Sequence, residues 1–201
     1  MIRLYDYLSS GNGYKVRLLL TLLGIPFQRI ELDILKGESR TPEFLRKNPN
    51  GRIPVLETES GEFLAESNAI LFYLAEGTPF LPDGRLDRSQ VLQWMFFEQY
   101  SHEPNIATSR FWIMHLDMTD ERRAALEQKR TLGYAALDVM ERHLKGRDFF
   151  VANRYSIADI ALYAYTHVAG EGGFDLGPFP LIRAWLDRIG ARPRHIPITE
   201  G

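Results

Sequence analysis

Three short stretches near the start of the chain carry the side chains best suited to chemistry: Ser9-Ser10-Gly11-Asn12, Arg52-Ile53-Pro54-Val55 and Glu66-Ser67. The first sets hydroxyls and an amide ahead of an apolar helical run, where the N-terminal end of a helix favours negative charge. The second places a proline at a strand entry, where a cis bond would turn a backbone edge toward a peptide-like ligand. The third offers a carboxylate for an ammonium group, beside a hydroxyl and a backbone N–H for a carboxylate. Together these describe a site for a small, zwitterionic, peptide-like thiol.

The elements that must position these groups follow from periodicity and punctuation. Residues 2–7 read as a strand, 14–23 as an apolar helix stopped by Gly24-Ile25-Pro26, and 27–34 as a strand alternating at Ile30, Leu32 and Ile34. A strand, crossover helix and strand of this length imply a parallel pair. Thr41 and Pro42 open a short helix, 55–58 and 62–65 form a hairpin through Ser60-Gly61, and Ser67 caps a helix to residue 75. Beyond a Pro- and Gly-rich connection the pattern is helical throughout. A long helix is expected from Asp87, interrupted near Pro104, and another follows Thr119 with an apolar face of Ala125, Leu132, Ala136, Val139, Met140 and Leu144. Ser156 and Asp159 form a capping box ahead of a further helix, and a last helix covers 181–189.

On these motifs the chain resembles the glutathione transferase family over essentially its whole length. The run Ser10-Gly11-Asn12-Gly13-Tyr14-Lys15 is similar to the Ser/Thr-x-Asn arrangement of bacterial nu-like and theta-like members of the cytosolic-type superfamily. The resemblance implies a mixed α/β and all-α protein. A thioredoxin-like glutathione-binding domain (β-α-β-α-β-β-α) would occupy residues 1–77 and a linker 78–86. An all-helical domain, 87–201, would supply the hydrophobic substrate site and the dimer contacts. Ser10 and Asn12 would be catalytic, facing the glutathione sulfur. Ile53 would pair its backbone with the cysteinyl part, Pro54 would be the cis-proline, and Glu66 and Ser67 would hold the γ-glutamyl end. Arg52 and Arg40, and more weakly Lys36, flank the position of the glycyl carboxylate, and Ser9 belongs to the same loop. Arg110, Phe111, Trp112 and His115 are candidates for the pocket of a small hydrophobic electrophile, and equally for core or dimer surface.

Each of these residues has an ordinary reading too. Ser10 could be only a helix N-cap, Asn12 a turn residue before Gly13, and Glu66 a solvated acid. The doubled serine leaves Ser9 or Ser10 open, with the spacing to Asn12 favouring Ser10. His102 and Glu103 match no metal motif, and no metal is expected. Tyr5 and Tyr7 fit the catalytic slot less well than Ser10-Gly11-Asn12.

Composition narrows the activity. The chain has 201 residues, 45% hydrophobic, and a net charge of −2. Residues 1–52 hold nine Lys/Arg against five Asp/Glu, so the remainder carries −6. A mildly basic face suits an anionic tripeptide, and there is no basic stripe of a nucleic-acid binder. The absence of cysteine removes disulfides, thiolate metal sites and a protein-borne thiol nucleophile. No apolar run is long enough to span a bilayer, and a cytoplasmic homodimer is expected. The expected activity is conjugation of glutathione, as co-substrate, to an electrophile. Alternatives are glutathione-linked reduction of disulfides or peroxides, a glutathione-dependent isomerase, and a non-catalytic module of the same fold.

Overall fold

A computed structural model describes residues Met1–Gly201. The chain divides into two compact units, Met1–Thr78 together with Arg192–Gly201, and Pro79–Ala191. The last ten residues thus belong with the first unit, a correction to the expected helical domain 87–201. Buried carbonyl acceptors explain it: Tyr14 Oη donates to the Ile196 carbonyl (2.7 Å) and Arg17 Nη2 to that of Ile198 (2.9 Å).

The first unit runs β1 (Ile2–Asp6), α1 (Gly11–Leu23), β2 (Phe27–Glu31), α2 (Pro42–Lys47), β3 (Val55–Glu57), β4 (Phe63–Ala65) and α3 (Ser67–Ala75), in the expected order. The sheet order is β2-β1-β3-β4, with β1 and β2 parallel and the other pairs antiparallel. Leu18, Leu19 and Leu20 are all fully buried, so α1 is an interior helix rather than an amphipathic one. Gly24 ends it in the left-handed region (φ 69°), donating back to the Leu20 and Thr21 carbonyls. β2 is shorter than its alternation suggested. Asp33 Oδ1 accepts from the N–H groups of Leu35 and Lys36 and winds Ile34–Lys36 into a 3₁₀ turn.

The second unit is helical: α4 (Arg85–Phe97), α5 (Glu103–His115), α6 (Asp120–His143), α7 (Ile157–Thr166) and α8 (Pro180–Gly190). A π-helical segment, Glu98–His102, joins α4 to α5. Pro104 has no N–H, so the ladder slips there, and the Glu103 N–H reaches the Glu98 carbonyl five residues back. The buried face of α6 is Leu126, Gly133, Ala136, Leu137 and Met140, while Leu132 is exposed. Gly133 displaces the face from the expected stripe because it admits the Phe174 ring: a Cβ there would lie 2.5 Å from Phe174 Cε1.

The capping box of α7 forms as expected. Its fully buried Asp159 also accepts from Phe150 N–H (3.1 Å) and Trp185 Nε1–H (3.0 Å), beyond Ser156 N–H (3.0 Å) and Oγ–H (3.1 Å). Replacing Asp159 by Ala strands these buried donors and should cost about 3–5 kcal/mol in urea unfolding. Burial lifts the Asp159 carboxyl from 3.8 to about 6 against the pull of its donors. Its native pKa therefore exceeds the unfolded one. The stabilising contribution is full below about 3.8 and is lost as pH rises through 6. A carboxyl NMR titration of Asp159 should show a midpoint near 6; a midpoint at or below 3.8 contradicts this account.

Candidate functional site

Two of the three motifs meet where α1 packs on α3, through Asn12 and Ser67, and the third leads into β3, whose Val55 pairs with Ala65 just ahead of Glu66. Ser10 is the N-cap of α1, in extended conformation, with Oγ accepting from the Gly13 N–H at 3.3 Å. The ordinary reading of Ser10 is thus realised, and its hydroxyl hydrogen remains a donor. Asn12 Oδ1 accepts from Lys15 Nζ (2.8 Å) and from Ser67 Oγ (3.2 Å), and Lys15 Nζ lies 3.4 Å from Ser67 Oγ. Lys15 is completely buried and Ser67 nearly so. The helix that was to supply the thiol-facing groups is thereby tied to the residue that was to hold the γ-glutamyl end.

Glu66, rather than Ser67, occupies the N-cap of α3, and Ser67 is the first helical residue. Glu66 has φ 68° and ψ 111°, a region rare for a side-chain-bearing residue. Such a conformation costs on the order of 1–3 kcal/mol and persists where its surroundings impose it. Its Cβ is aimed by that backbone, so an exposed carboxylate stands at the head of α3 next to the buried Ser67 hydroxyl.

The Ile53–Pro54 peptide is cis and leads directly into β3. Its approach is braced from below. Arg40 Nη1 donates to the Asn50 carbonyl (2.9 Å), and Asn48 Nδ2 to the Arg52 carbonyl (2.8 Å). Gly51 has φ 62°, and a Cβ there would meet Arg40 Nη1 at 2.7 Å. Both guanidinium-bearing residues are exposed on this loop, and Arg40 has a bracing role that its charge alone did not suggest. Lys36 is engaged with Asp33 at 3.1 Å.

The tyrosine alternative loses ground. Tyr5 Oη donates to Glu57 Oε2 at 2.7 Å, and burial with that carboxylate pushes the phenol up to about 12. In the second unit, Arg110 is buried in an ion pair with Glu171 (2.6 Å), which commits its guanidinium internally. Phe111 and His115 rings lie 5.2 Å apart, and Lys129 Nζ sits 5.3 Å above the Trp112 ring. No group of three or more His, Cys, Asp or Glu assembles into a metal-ligand cluster.

Sequence reasoning passed over Lys15. Its signal was legible: a lysine in a largely apolar helix, three residues after Asn12 and so on the same face.

Two family models match the chain, glutathione S-transferase N-terminal domain over residues 1–76 and C-terminal domain over 94–193. The chain belongs to the glutathione S-transferase family. A solved glutathione S-transferase from Pseudomonas fluorescens Pf-5 superposes with TM-score 0.97, 53% identity and 99% of both chains covered. Ure2p in complex with glutathione superposes with TM-score 0.87 at 27% identity, over 96% of this chain and 90% of that one. Among characterised relatives, the disulfide-bond oxidoreductase YfcG of Escherichia coli strain K12 is 32% identical, with 96% of this chain and 92% of the relative aligned. In this transferase fold the first unit corresponds to the N-terminal domain model, and no helix of either unit is long and apolar enough to cross a membrane.

Gly13 reports on how tightly the loop is seated. A Cβ there would fall 1.5 Å from Asp6 Oδ1 beneath the first turn of α1. Gly13→Ala should destabilise the protein by about 1–3 kcal/mol in urea unfolding. Gly170→Ala, where a Cβ meets nothing within 4 Å, should be much milder. Equal effects from the two would show that the Gly13–Asp6 contact does not constrain the loop.

Proposed function

We propose that this protein binds glutathione in the first unit, stabilises its thiolate and directs it at a small hydrophobic electrophile. The observation that carries the reading is the Asn12–Lys15–Ser67 connection. It makes the N-termini of α1 and α3, with their hydroxyl and amide groups, neighbours. A γ-glutamyl group needs a carboxylate for its ammonium and donors for its carboxylate, which Glu66 and the Ser67 N-terminal turn provide. The cysteinyl thiol then falls to Ser10 and Asn12, in the manner of a nu-like or theta-like Ser/Thr-x-Asn member.

A free thiol has a pKa near 8.5, so only roughly a few per cent is thiolate at pH 7. Ser10 O–H and the Asn12 amide N–H₂ can donate to S⁻, and both gain less from neutral SH. The α1 N-terminus adds its dipole. Two donors and a dipole contribute about 1–3 kcal/mol, enough to lower the pKa by about one to two units. No general base is needed, because the proton leaves to water.

The likeness to a disulfide-bond oxidoreductase favours a second reading at the same site. With no cysteine in the chain, reduction would use two glutathione thiols. The first attacks the disulfide and expels one thiolate. The second attacks the mixed disulfide, giving oxidised glutathione and the other thiol. Turnover of glutathione with an aryl halide, a hydroperoxide, hydroxyethyl disulfide and maleylacetoacetate, run side by side, separates transferase, peroxidase, reductase and isomerase. A protein that binds glutathione and turns over none of them would be the non-catalytic module instead.

Ser10→Ala and Asn12→Ala should each raise the pKa seen in the pH dependence of kcat/KM, with small effects on glutathione affinity. Should Ser9→Ala remove that shift while Ser10→Ala preserves it, the serine is assigned one residue too late. Glu66→Ala and Ser67→Ala should each weaken glutathione binding by about 1.5–3 kcal/mol, with little change in turnover at saturation. Unchanged affinity in the double variant would mean a different ligand or pose.

The assembly we propose is a cytoplasmic homodimer. Leu86, Phe96 and Tyr100 expose 69%, 68% and 87% of their surface along α4 and the π-helical segment, an apolar load suited to an isologous interface. Gln99 or Glu103 would be the residues to reach a partner's γ-glutamyl ammonium, since the neighbouring Glu98 is fully buried within its own chain. Light scattering should give twice 23.2 kDa at micromolar concentration; a fully active monomer would refute the dimer.

A further inference from the structure

The turn that carries the chain from β1 to Ser10 is held at its middle as well as at its ends. Ser10 N–H donates to the Tyr7 carbonyl (2.8 Å), closing a turn whose central residues are Leu8 and Ser9. Both backbone groups of Leu8 are engaged by charged side chains. Its N–H donates to Glu31 Oε1 at 3.2 Å, and its carbonyl accepts from Arg17 Nη2 at 2.8 Å. Tyr7 N–H donates to Asp6 Oδ1 at 2.7 Å. The three side chains come from three elements: Asp6 ends β1, Glu31 ends β2, and Arg17 lies in the middle of α1.

Four-residue turns of the two commonest types differ by a rotation of roughly 180° in the peptide between their central residues. The Leu8 carbonyl belongs to that peptide. Arg17 holds it with a guanidinium that is fully buried and is itself fixed by Asp6 Oδ2 (3.0 Å) and the Ile198 carbonyl (2.9 Å). The preceding peptide, which carries the Leu8 N–H, depends on Glu31. That carboxylate stands on the edge strand of the sheet with 45% of its side chain exposed, where an acid is ordinarily only a solvated charge. Here Arg29 Nη1 bonds Glu31 Oε2, which leaves Oε1 for the turn. Glu31 is thus the one grip on Leu8 that can be altered without opening a buried ion pair.

Building on the glutathione reading above, we infer that Glu31 is a positioning residue for the Ser10 hydroxyl, acting through the Leu8 N–H while Arg17 holds the Leu8 carbonyl. Ser10 enters α1 with its carbonyl accepting from Tyr14 N–H (2.9 Å) and its Oγ accepting from Gly13 N–H (3.3 Å). The helix sets that end of the residue, and the turn decides where its oxygen stands. Glu31 does not touch the thiol. Its charge in fact opposes the chemistry, because an anion near a thiol disfavours the thiolate and raises the pKa. The other charges around the turn are Asp6 and Arg17 within the unit and Arg29 beside Glu31. Position and charge therefore predict opposite signs when Glu31 is removed.

The test is the pKa of enzyme-bound glutathione, read from thiolate ultraviolet absorbance against pH, with binding followed by calorimetry. Glu31→Ala releases the Leu8 N–H and should raise that pKa by about half a unit, lowering kcat/KM at neutral pH by about threefold while glutathione affinity stays within about twofold. Loss of the anion alone would move the pKa down. Glu31→Gln gives up the charge but keeps a carbonyl oxygen for the Leu8 N–H, and should sit at or below the wild-type pKa. In a Ser10→Ala background Glu31→Ala should shift the pKa by less than half as much, since there is no hydroxyl left to place. The inference is overturned if Glu31→Ala lowers the pKa or leaves it where it was. It is equally overturned if Glu31→Gln raises it as far as Glu31→Ala does, or if the shift is undiminished beside Ser10→Ala. A wild-type protein that fails to bind glutathione, or leaves its thiol at the ordinary pKa, would instead sink the functional reading on which this one rests.

Discussion

The loop that carries Ser9 and Ser10 takes its shape from a buried ion pair. Asp6, the last residue of β1, faces Arg17 in the middle of α1 at 3.0 Å, and neither is exposed. Asp6 Oδ1 also accepts the Tyr7 N–H (2.7 Å), and Arg17 Nη2 holds the Leu8 carbonyl (2.8 Å) and the Ile198 carbonyl. One cluster thus joins the strand end, the loop, the helix and the C-terminal tail. Burial outweighs the pull of Arg17 and lifts the Asp6 carboxyl to about 6. The pair is a specification device more than a source of stability, because desolvation offsets most of its Coulomb attraction. Its value lies in geometry: the chain leaving β1 must turn under the first turn of α1, and Gly13 is the residue that leaves room for the carboxylate.

With that turn set, the electrostatics of the site follow from where helices begin. α1 starts at Gly11 and α3 at Ser67, and the contact of Asn12 with Ser67 makes their N-termini neighbours. Unpaired backbone N–H groups and aligned dipoles favour an anion at each. Glu66 adds a carboxylate at the rim through an imposed positive φ. β4 pairs through Ala65 with Val55 on one side, and the Ile70 N–H reaches the Glu66 carbonyl on the other. Sheet and helix therefore hold the conformation from both flanks. A peptide-like ligand with a charge at each end matches that layout.

Much of this was legible because it rests on local rules. Periodicity and caps predict the element order of the first unit, and the family motifs point to Ser10, Asn12, Pro54, Glu66 and Ser67 as neighbours. What periodicity missed involves residues that a hydrophobic count scores wrongly. Gly133 counts as nothing yet defines the buried face of α6 by admitting Phe174. Lys15 counts as polar and surface-seeking yet is buried by its partners. Asp33 converts an alternating strand end into a 3₁₀ turn, and Pro104 acts upstream by slipping a ladder rather than breaking a helix. The tail was assigned to the helical unit by position in the chain, whereas its attachment depends on backbone acceptors for Tyr14 and Arg17. Backbone acceptors leave no mark in side-chain patterns.

The lack of cysteine gives the site its division of labour. A protein thiol can be tuned and aimed by the chain that carries it, but in a chain without cysteine any thiol nucleophile would have to arrive with the ligand. On the proposed function the protein would have two tasks, to hold both ends of the ligand so that the sulfur falls in one place, and to favour S⁻ there over SH. These tasks compete when they are met by mobile groups, since each immobilised side chain costs entropy on binding. Under that reading, the bonds of one buried ammonium to Asn12 and Ser67 would reduce the competition, because they join the residues proposed for the two ends. The same preorganisation would serve conjugation and disulfide exchange alike, since both begin with a glutathione thiolate. What distinguishes the two reactions is the partner that the thiolate meets, and that choice depends on pocket shape rather than on the loop that makes the nucleophile.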